Sequence, residues 1–185
     1  MDHTDYFSVN YQASINVKLL PIGQAAPDDI EFQHEIPQPF LISAEVSHID
    51  SASLRSLRKI ADASDELADY LANQSRKIDV ILSYVLQLQD NPDERHLSES
   101  ISAGGLTFMT DDAIELEQVA RVKVFLPEQA VAIYAYAKVV KIETADDRRL
   151  VTLEYCKLRD DDQEHLIRAT LHIQTKQLQQ RRQNQ

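Results

Sequence analysis

The chain has 185 residues, 43% hydrophobic and 26% charged, with thirty acids against nineteen Lys and Arg and a formal net charge of −11. That composition is globular rather than disordered, and its acidity argues against nucleic acid and anionic membranes as partners, because affinity for phosphate backbones comes from Lys and Arg. No apolar run approaches the ~20 residues that span a bilayer, residues 1–5 carry acid where a signal peptide carries base, and the single Cys156 forbids an intramolecular disulfide. These features place the chain in the cytoplasm, without membrane insertion, with Cys156 expected as a buried structural thiol.

The acid is concentrated at the front: residues 1–50 hold eight acids and one base. From Phe7 to Leu19 every odd position is apolar (Phe7, Val9, Tyr11, Ala13, Ile15, Val17, Leu19), and the even positions, Asn16 among them, are polar. A period of two predicts a strand with one buried and one wet face. Four prolines in 21–39 predict an irregular connection with a helical turn, and Phe40 to His48 a short helix.

Residues 52–89 contain no Gly or Pro, can be capped by Asp50 or Ser51, and are stopped by Asn91 and Pro92. As one helix they span about 55 Å. In heptads, Leu57, Ser64, Leu71, Ile78 and Val85 fill the a positions, and Ile60, Leu67, Gln74, Ile81 and Leu88 the d positions. Eight of the ten are aliphatic, which predicts a coiled coil; the competing reading is the amphipathic face of one core helix. So long a seam exceeds what a small β domain covers, so sister chains are expected on it, with Gln74 and Ser64 as polar interruptions that set register.

Strands follow at Leu97–Ser102, Leu106–Thr110, Ala120–Leu126, Val131–Ile142 and Arg149–Cys156, the fourth apolar on both faces and therefore central; the turn before the fifth is Ala145, Asp146 and Asp147. Closely spaced antiparallel strands predict a barrel or sandwich. A final helix is expected from Asp161, capped with Glu164, its core face Leu166, Ile167, Thr170 and Ile173, fading into a Gln-rich tail from Gln177. The predicted class is α+β, in three segments: 1–50, the N-terminal strand and connection; 51–91, the oligomerisation helix; 92–185, the β domain with its C-terminal helix.

The six histidines lack zinc-site spacing; His165 and His172 lie a heptad apart on the last helix. No nucleophile–base arrangement or phosphate-cradling glycine loop is present, the acid clusters fall at element ends, and no catalytic or metal residue is assigned. The distinctive segment is SESISAGGLTF at 98–108, a strand entering a tight turn where Gly104 and Gly105 permit positive φ or close approach.

SxSAGGL at 100–106, three further strands, then DQEHLIR at 162–168 opening a terminal helix and QTKQLQQRR at 174–182 together resemble the PilZ domain, a bacterial β-barrel module of cyclic di-GMP signalling. The front half, YFSV at 6–9 and INVKLLP at 15–21 before the heptad helix, is similar to the atypical, helix-containing PilZ group, for which tetramers are known. The resemblance implies a PilZ-like antiparallel β-barrel and a non-enzymatic regulatory scaffold. It would form a homo-oligomer, a tetramer by that likeness, through helix 52–89, and would contact signalling or motility proteins. PilZ receptors hold cyclic di-GMP with RxxxR and (D/N)xSxxG. The second element aligns here as Ser100, Ser102 and Gly105, with Ser100 at the acid or amide position; the first is reduced to Arg95, with Asn91 and Glu99 four residues to either side. The implied consequence is weak or absent cyclic di-GMP binding and no cofactor. The alternative is a direct receptor whose arginines come from Arg95, Arg148, Arg149 or a neighbouring chain.

Overall fold

The alternating segments close on one another. The computed structural model describes residues 6–61, 64–145 and 148–183, with side chains at 6–49, 64–144 and 148–183. The elements are β1 (Val9–Asn10), β2 (Ser14–Leu19), α1 (Asp29–Glu35), α2 (Gln38–Ala61), α3 (Asp65–Gln87), β3 (Arg95–Ile101), β4 (Gly105–Thr110), β5 (Val119–Leu126), β6 (Val131–Ala145), β7 (Arg148–Lys157) and α4 (Asp160–Gln183). The antiparallel order β3-β2-β5-β6-β7-β4 returns to β3, so six strands form a closed barrel rather than a sandwich, and β1 extends the β2 side of β3. Closure leaves no exposed sheet edge to template aggregation.

Inside, Ile15, Val122, Val124, Ile133, Val139, Val151 and Leu153 are fully buried, and Leu166, Ala169 and Ile173 of α4 complete that core. A second core lies outside the barrel. Phe125, Tyr134 and Tyr136 on the outer face of β5 and β6 meet Phe32 and Ile36, Phe40 of α2, and Leu82 and Leu86 of α3. The two tyrosine hydroxyls donate to Glu35 Oε2, at 3.2 Å from Tyr134 and 2.5 Å from Tyr136, pinning α1 to the wall. The doubly apolar β6 is therefore central, as its sequence predicts.

The helical part departs from the sequence reading. In place of one helix over 52–89 there are two, and the short helix expected at Phe40–His48 is the first half of α2, which runs on past Asp50 and Ser51. The boundary drawn at residue 51 falls inside a helix. The break comes at Ser64, whose backbone is extended (φ −161°, ψ 107°) and whose hydroxyl accepts the Leu67 N–H. A hydroxyl N-cap with Asp65 and Glu66 in the first turn favours a new helix start there, and this outcompetes continuation of the stripe. Because α2 begins on the barrel, α3 ends on it and the two pack together, they form a hairpin projecting outward. Among the described side chains none from 48 to 81 is buried.

Other positions also differ. Phe7 is exposed; the predicted 7–19 strand is interrupted between β1 and β2, where buried Ser98 Oγ donates to the Tyr11 carbonyl (2.7 Å) and accepts from Ala13 N–H (2.9 Å). Asn16, expected in water, is 1% exposed, for the reason given below. On α4, Ile167 is exposed, whereas Asp162, His165 and Ala169 are buried with Leu166, Thr170 and Ile173. Asp161 lies within α4 rather than capping it; the bidentate partner at that end is Arg159, to Asp162 at 2.7 and 2.8 Å. The Gln-rich tail continues the helix to Gln183. Cys156 is exposed on β7, not buried. Asp146 and Asp147 of the predicted turn lie outside the described residues.

Candidate ligand site and helical arm

The hairpin between β3 and β4 is held by Ser102. Its hydroxyl accepts from the N–H of Gly104 (3.2 Å) and Gly105 (3.0 Å) and donates to the Gly105 carbonyl (3.0 Å). A hydroxyl has one donor and two acceptor sites, so the turn consumes all three. Gly105 is required for close approach rather than for positive φ: a Cβ there would lie 2.0 Å from the Leu153 carbonyl oxygen of β7. Ser100 Oγ lies 2.8 Å from Thr107 Oγ1 across the strand pair.

Arg95 is elsewhere. Five residues along β3 from Ser100 is roughly 17 Å at strand rise. Its Nε donates to Asp90 Oδ2 at 2.7 Å, within a polar lock joining the end of α3 to the barrel. Buried Asn16 of β2 donates to Asp90 Oδ1 (2.7 Å) and the Asn91 carbonyl (3.1 Å), and accepts from Asn91 N–H (2.8 Å). Arg121 holds both oxygens of Glu94 at 3.0 and 2.8 Å, and Lys123 Nζ donates to the Gln89 carbonyl at 2.8 Å. Burial, with Arg121 nearby, pushes the Lys123 ammonium below its ordinary pKa. Polar pairing explains why Asn16 is buried on an otherwise wet face. Of the pair spaced like RxxxR, Asn91 meets Asn16 through its backbone while its side chain accepts from Asp93 N–H, and the exposed Arg95 holds Asp90 through Nε.

The other arginines of the receptor reading are no nearer. Arg149 pairs with Thr110, five rungs along the β4–β7 ladder from Gly105. Arg149 Nη1 donates to the Asp112 carbonyl (3.1 Å), and Arg148 Nε stands 3.4 Å from Asp111. The structure therefore gathers Ser100, Ser102 and Gly105 at one end of the ladder and places Arg95, Arg148 and Arg149 toward the other. Among the described residues no cluster of three or more His, Cys, Asp or Glu could hold a metal.

The expected seam divides. Leu67, Ile78, Ile81 and Leu88 are exposed, and Leu71, Gln74 and Val85 are half-buried. The side chains of Leu57 and Ile60 lie outside those described. The buried side of α3 carries Leu82 and Leu86 instead, and Tyr70, Val80 and Tyr84 widen the exposed stripe. The sequence signal overlooked was the SDE run at 64–66, a helix start inside the heptads.

Among curated protein sequences none matches the chain significantly. Of the solved structures it resembles, two are matched over 95% of this chain. One is a Xanthomonas campestris pathogenic protein described as a tetrameric PilZ domain self-assembled through a helical bundle (TM-score 0.55, 15% identity, 95% of this chain and 91% of that one). The other is the Bacillus subtilis inhibitor of motility, MotI/DgrA (TM-score 0.50, 16% identity, 95% of this chain). The chain spans about half, 53%, of the Bacillus protein. No described helix is long and apolar enough to cross a membrane. The family model for the PilZ domain matches residues 70–172, from within α3 through most of α4, and with the closed barrel it places this chain in the PilZ domain family.

Proposed function

We propose that this chain is a cytoplasmic regulatory scaffold of the atypical, helix-containing PilZ type, assembling into a homo-oligomer through its helical arm and acting by protein–protein contact. The observation that carries assembly is the arm itself. A helix pair that leaves Leu67, Ile78, Ile81, Tyr84 and Leu88 in solvent presents the kind of apolar stripe that another chain covers. The Xanthomonas protein's helical bundle is a precedent for a tetramer on the same fold. The seam differs from a single long coiled coil: the unit offered to a partner is a hairpin. Sedimentation is expected to give a mass above monomer, and Ile78→Asp with Ile81→Asp, both exposed and so harmless to the barrel, to reduce it. A monomeric wild type at micromolar concentration would refute assembly.

Tight binding of cyclic di-GMP is not part of this function. Ser102 is fully engaged in its turn, Arg95 is paired with Asp90, and the first position of the arginine pair is Asn91. Each hydrogen bond lost to a charged group forfeits about 1.5–3 kcal/mol, so an absent pair weakens affinity roughly a hundredfold to ten-thousandfold. Calorimetry is expected to show no submicromolar binding. Submicromolar affinity abolished by Arg148→Ala with Arg149→Ala would instead establish the receptor reading.

A further inference from the structure

Where α2 leaves the barrel, a pocket of about 310 Å³ opens between α2, α4 and the turn joining β5 to β6. Its polar lining is Ser47 of α2, Gln129 of the turn, and His165, Arg168 and His172 of α4, over a floor that includes Leu126. Those α4 residues recur at i, i+3 and i+7, the spacing that puts them on one helix face. In a chain with thirty acids and nineteen bases, none of the described lining residues is Asp or Glu. The volume falls within the range of small-molecule sites.

The chemistry of the lining is directional. Ser47 Oγ lies 3.4 Å from His165 Nδ1, and burial, reinforced by Arg168, holds the His165 ring below its ordinary pKa, so that it is a neutral hydrogen-bonding group near pH 7. Arg168 supplies a guanidinium and His172 an exposed imidazole. Arg168 already has partners, Glu164 accepting from its Nη2 at 2.7 Å among them, and the five N–H donors of a guanidinium let an anion share it with them. Gln129 Oε1 is buried without a hydrogen-bond partner. A buried acceptor of this kind is satisfied when a donor is brought to it.

We propose that this pocket binds a small molecule bearing a phosphate or carboxylate group, held by Arg168 and His172 beside Ser47 and His165, with a neighbouring hydroxyl or amine donating to Gln129. The site is remote from the β3–β4 turn in sequence and shares none of its residues.

The test uses the full chain and follows the His165 and His172 ring resonances by NMR at constant ionic strength, titrating inorganic phosphate, glycerol phosphate and succinate. Saturable shifts are expected with at least one anion, the phosphates against succinate deciding which group the site takes; if it takes phosphate, glycerol phosphate should bind more tightly than inorganic phosphate. Arg168→Gln should weaken binding by about tenfold or more, the loss of a charge-assisted hydrogen bond. Arg168 and His172 are exposed, so these variants leave the core intact. Gln129→Leu should remove only the advantage of glycerol phosphate. Shifts that never saturate, or that survive Arg168→Gln with His172→Gln, would overturn the site.

Discussion

The barrel and the helical arm treat their apolar side chains in opposite ways. In the barrel, each strand buries alternate residues against five others, and β6 is covered twice, by the interior on one side and by α2 and α3 on the other. In the arm, two helices of 24 and 23 residues meet the barrel only near its base, through Phe40, Leu82 and Leu86, and farther out Leu67, Ile78 and Ile81 stay in water. Tertiary packing, more than helix propensity, stabilises helices. The barrel core is therefore covered within the single chain, whereas the arm's exposed stripe is what the proposed partner chain would cover.

The sharpest contrast comes from making the same kind of cut in both regions. Leu153 is 1% exposed in the barrel and Ile81 is 65% exposed on the arm. Leu153→Ala is expected to cost about 2–5 kcal/mol in denaturant unfolding, from lost burial and the cavity left behind. Ile81→Ala should change the stability of dilute monomer by no more than about 0.5 kcal/mol, yet lower the concentration-dependent mass. Equal losses at the two sites in dilute protein would mean that the arm is covered by its own chain, and the comparison would fail.

The break between α2 and α3 is a smaller lever on the same contrast. Ser64→Ala removes the cap on the Leu67 N–H and should cost about 1 kcal/mol. Faster hydrogen exchange at the Leu67 amide, with exchange at Val151 in the barrel unchanged, is the expected signature. Unchanged exchange at Leu67 would show that the helix start does not depend on that hydroxyl.

What could be read from sequence follows the same division. Strand positions were legible because period two leaves little choice: β4, β5 and β6 begin within a residue of where alternation puts them. Strand number left barrel or sandwich open, and it was the PilZ resemblance, carried by SxSAGGL at 100–106 with DQEHLIR at 162–168 and QTKQLQQRR at 174–182, that implied the barrel and the family. Asn16 was not legible, because what buries it is a partner 74 and 75 residues away, at Asp90 and Asn91, and no local period encodes that. The helix break was legible in principle but was masked: Ser64 fits a heptad a position, and eight aliphatic residues outvoted one serine followed by two acids. At the degenerate ligand site the residue types were readable and their employment was not. Only coordinates show that Ser102 has no hydrogen-bonding capacity left over and that Arg95 lies far along β3 from it, with its Nε on Asp90.

The barrel's completeness has one flaw, and it yields the smallest and most specific effect. Tyr155 projects into the interior with its hydroxyl buried and unpartnered, and burial alone raises its pKa. An orphaned hydroxyl subtracts from stability, so Tyr155→Phe should stabilise the protein by about 1 kcal/mol at pH 7. Above pH ~10 the advantage of the Phe variant grows in a predictable way. The unfolded chain loses the phenolic proton there while the native state keeps it, so stability present at lower pH is lost as pH rises, by up to about 1.4 kcal/mol per pH unit for this one proton. Tyr134 and Tyr136, also raised chiefly by burial, act in the same direction, so the wild type should weaken steeply in alkali and the Phe variant less so. Thermal melts from pH 7 to 11 on the two proteins isolate the single proton. A variant less stable than wild type at pH 7 would reveal a partner for the hydroxyl, and parallel curves above pH 10 would show that Tyr155 ionises in the native barrel as readily as in the unfolded chain.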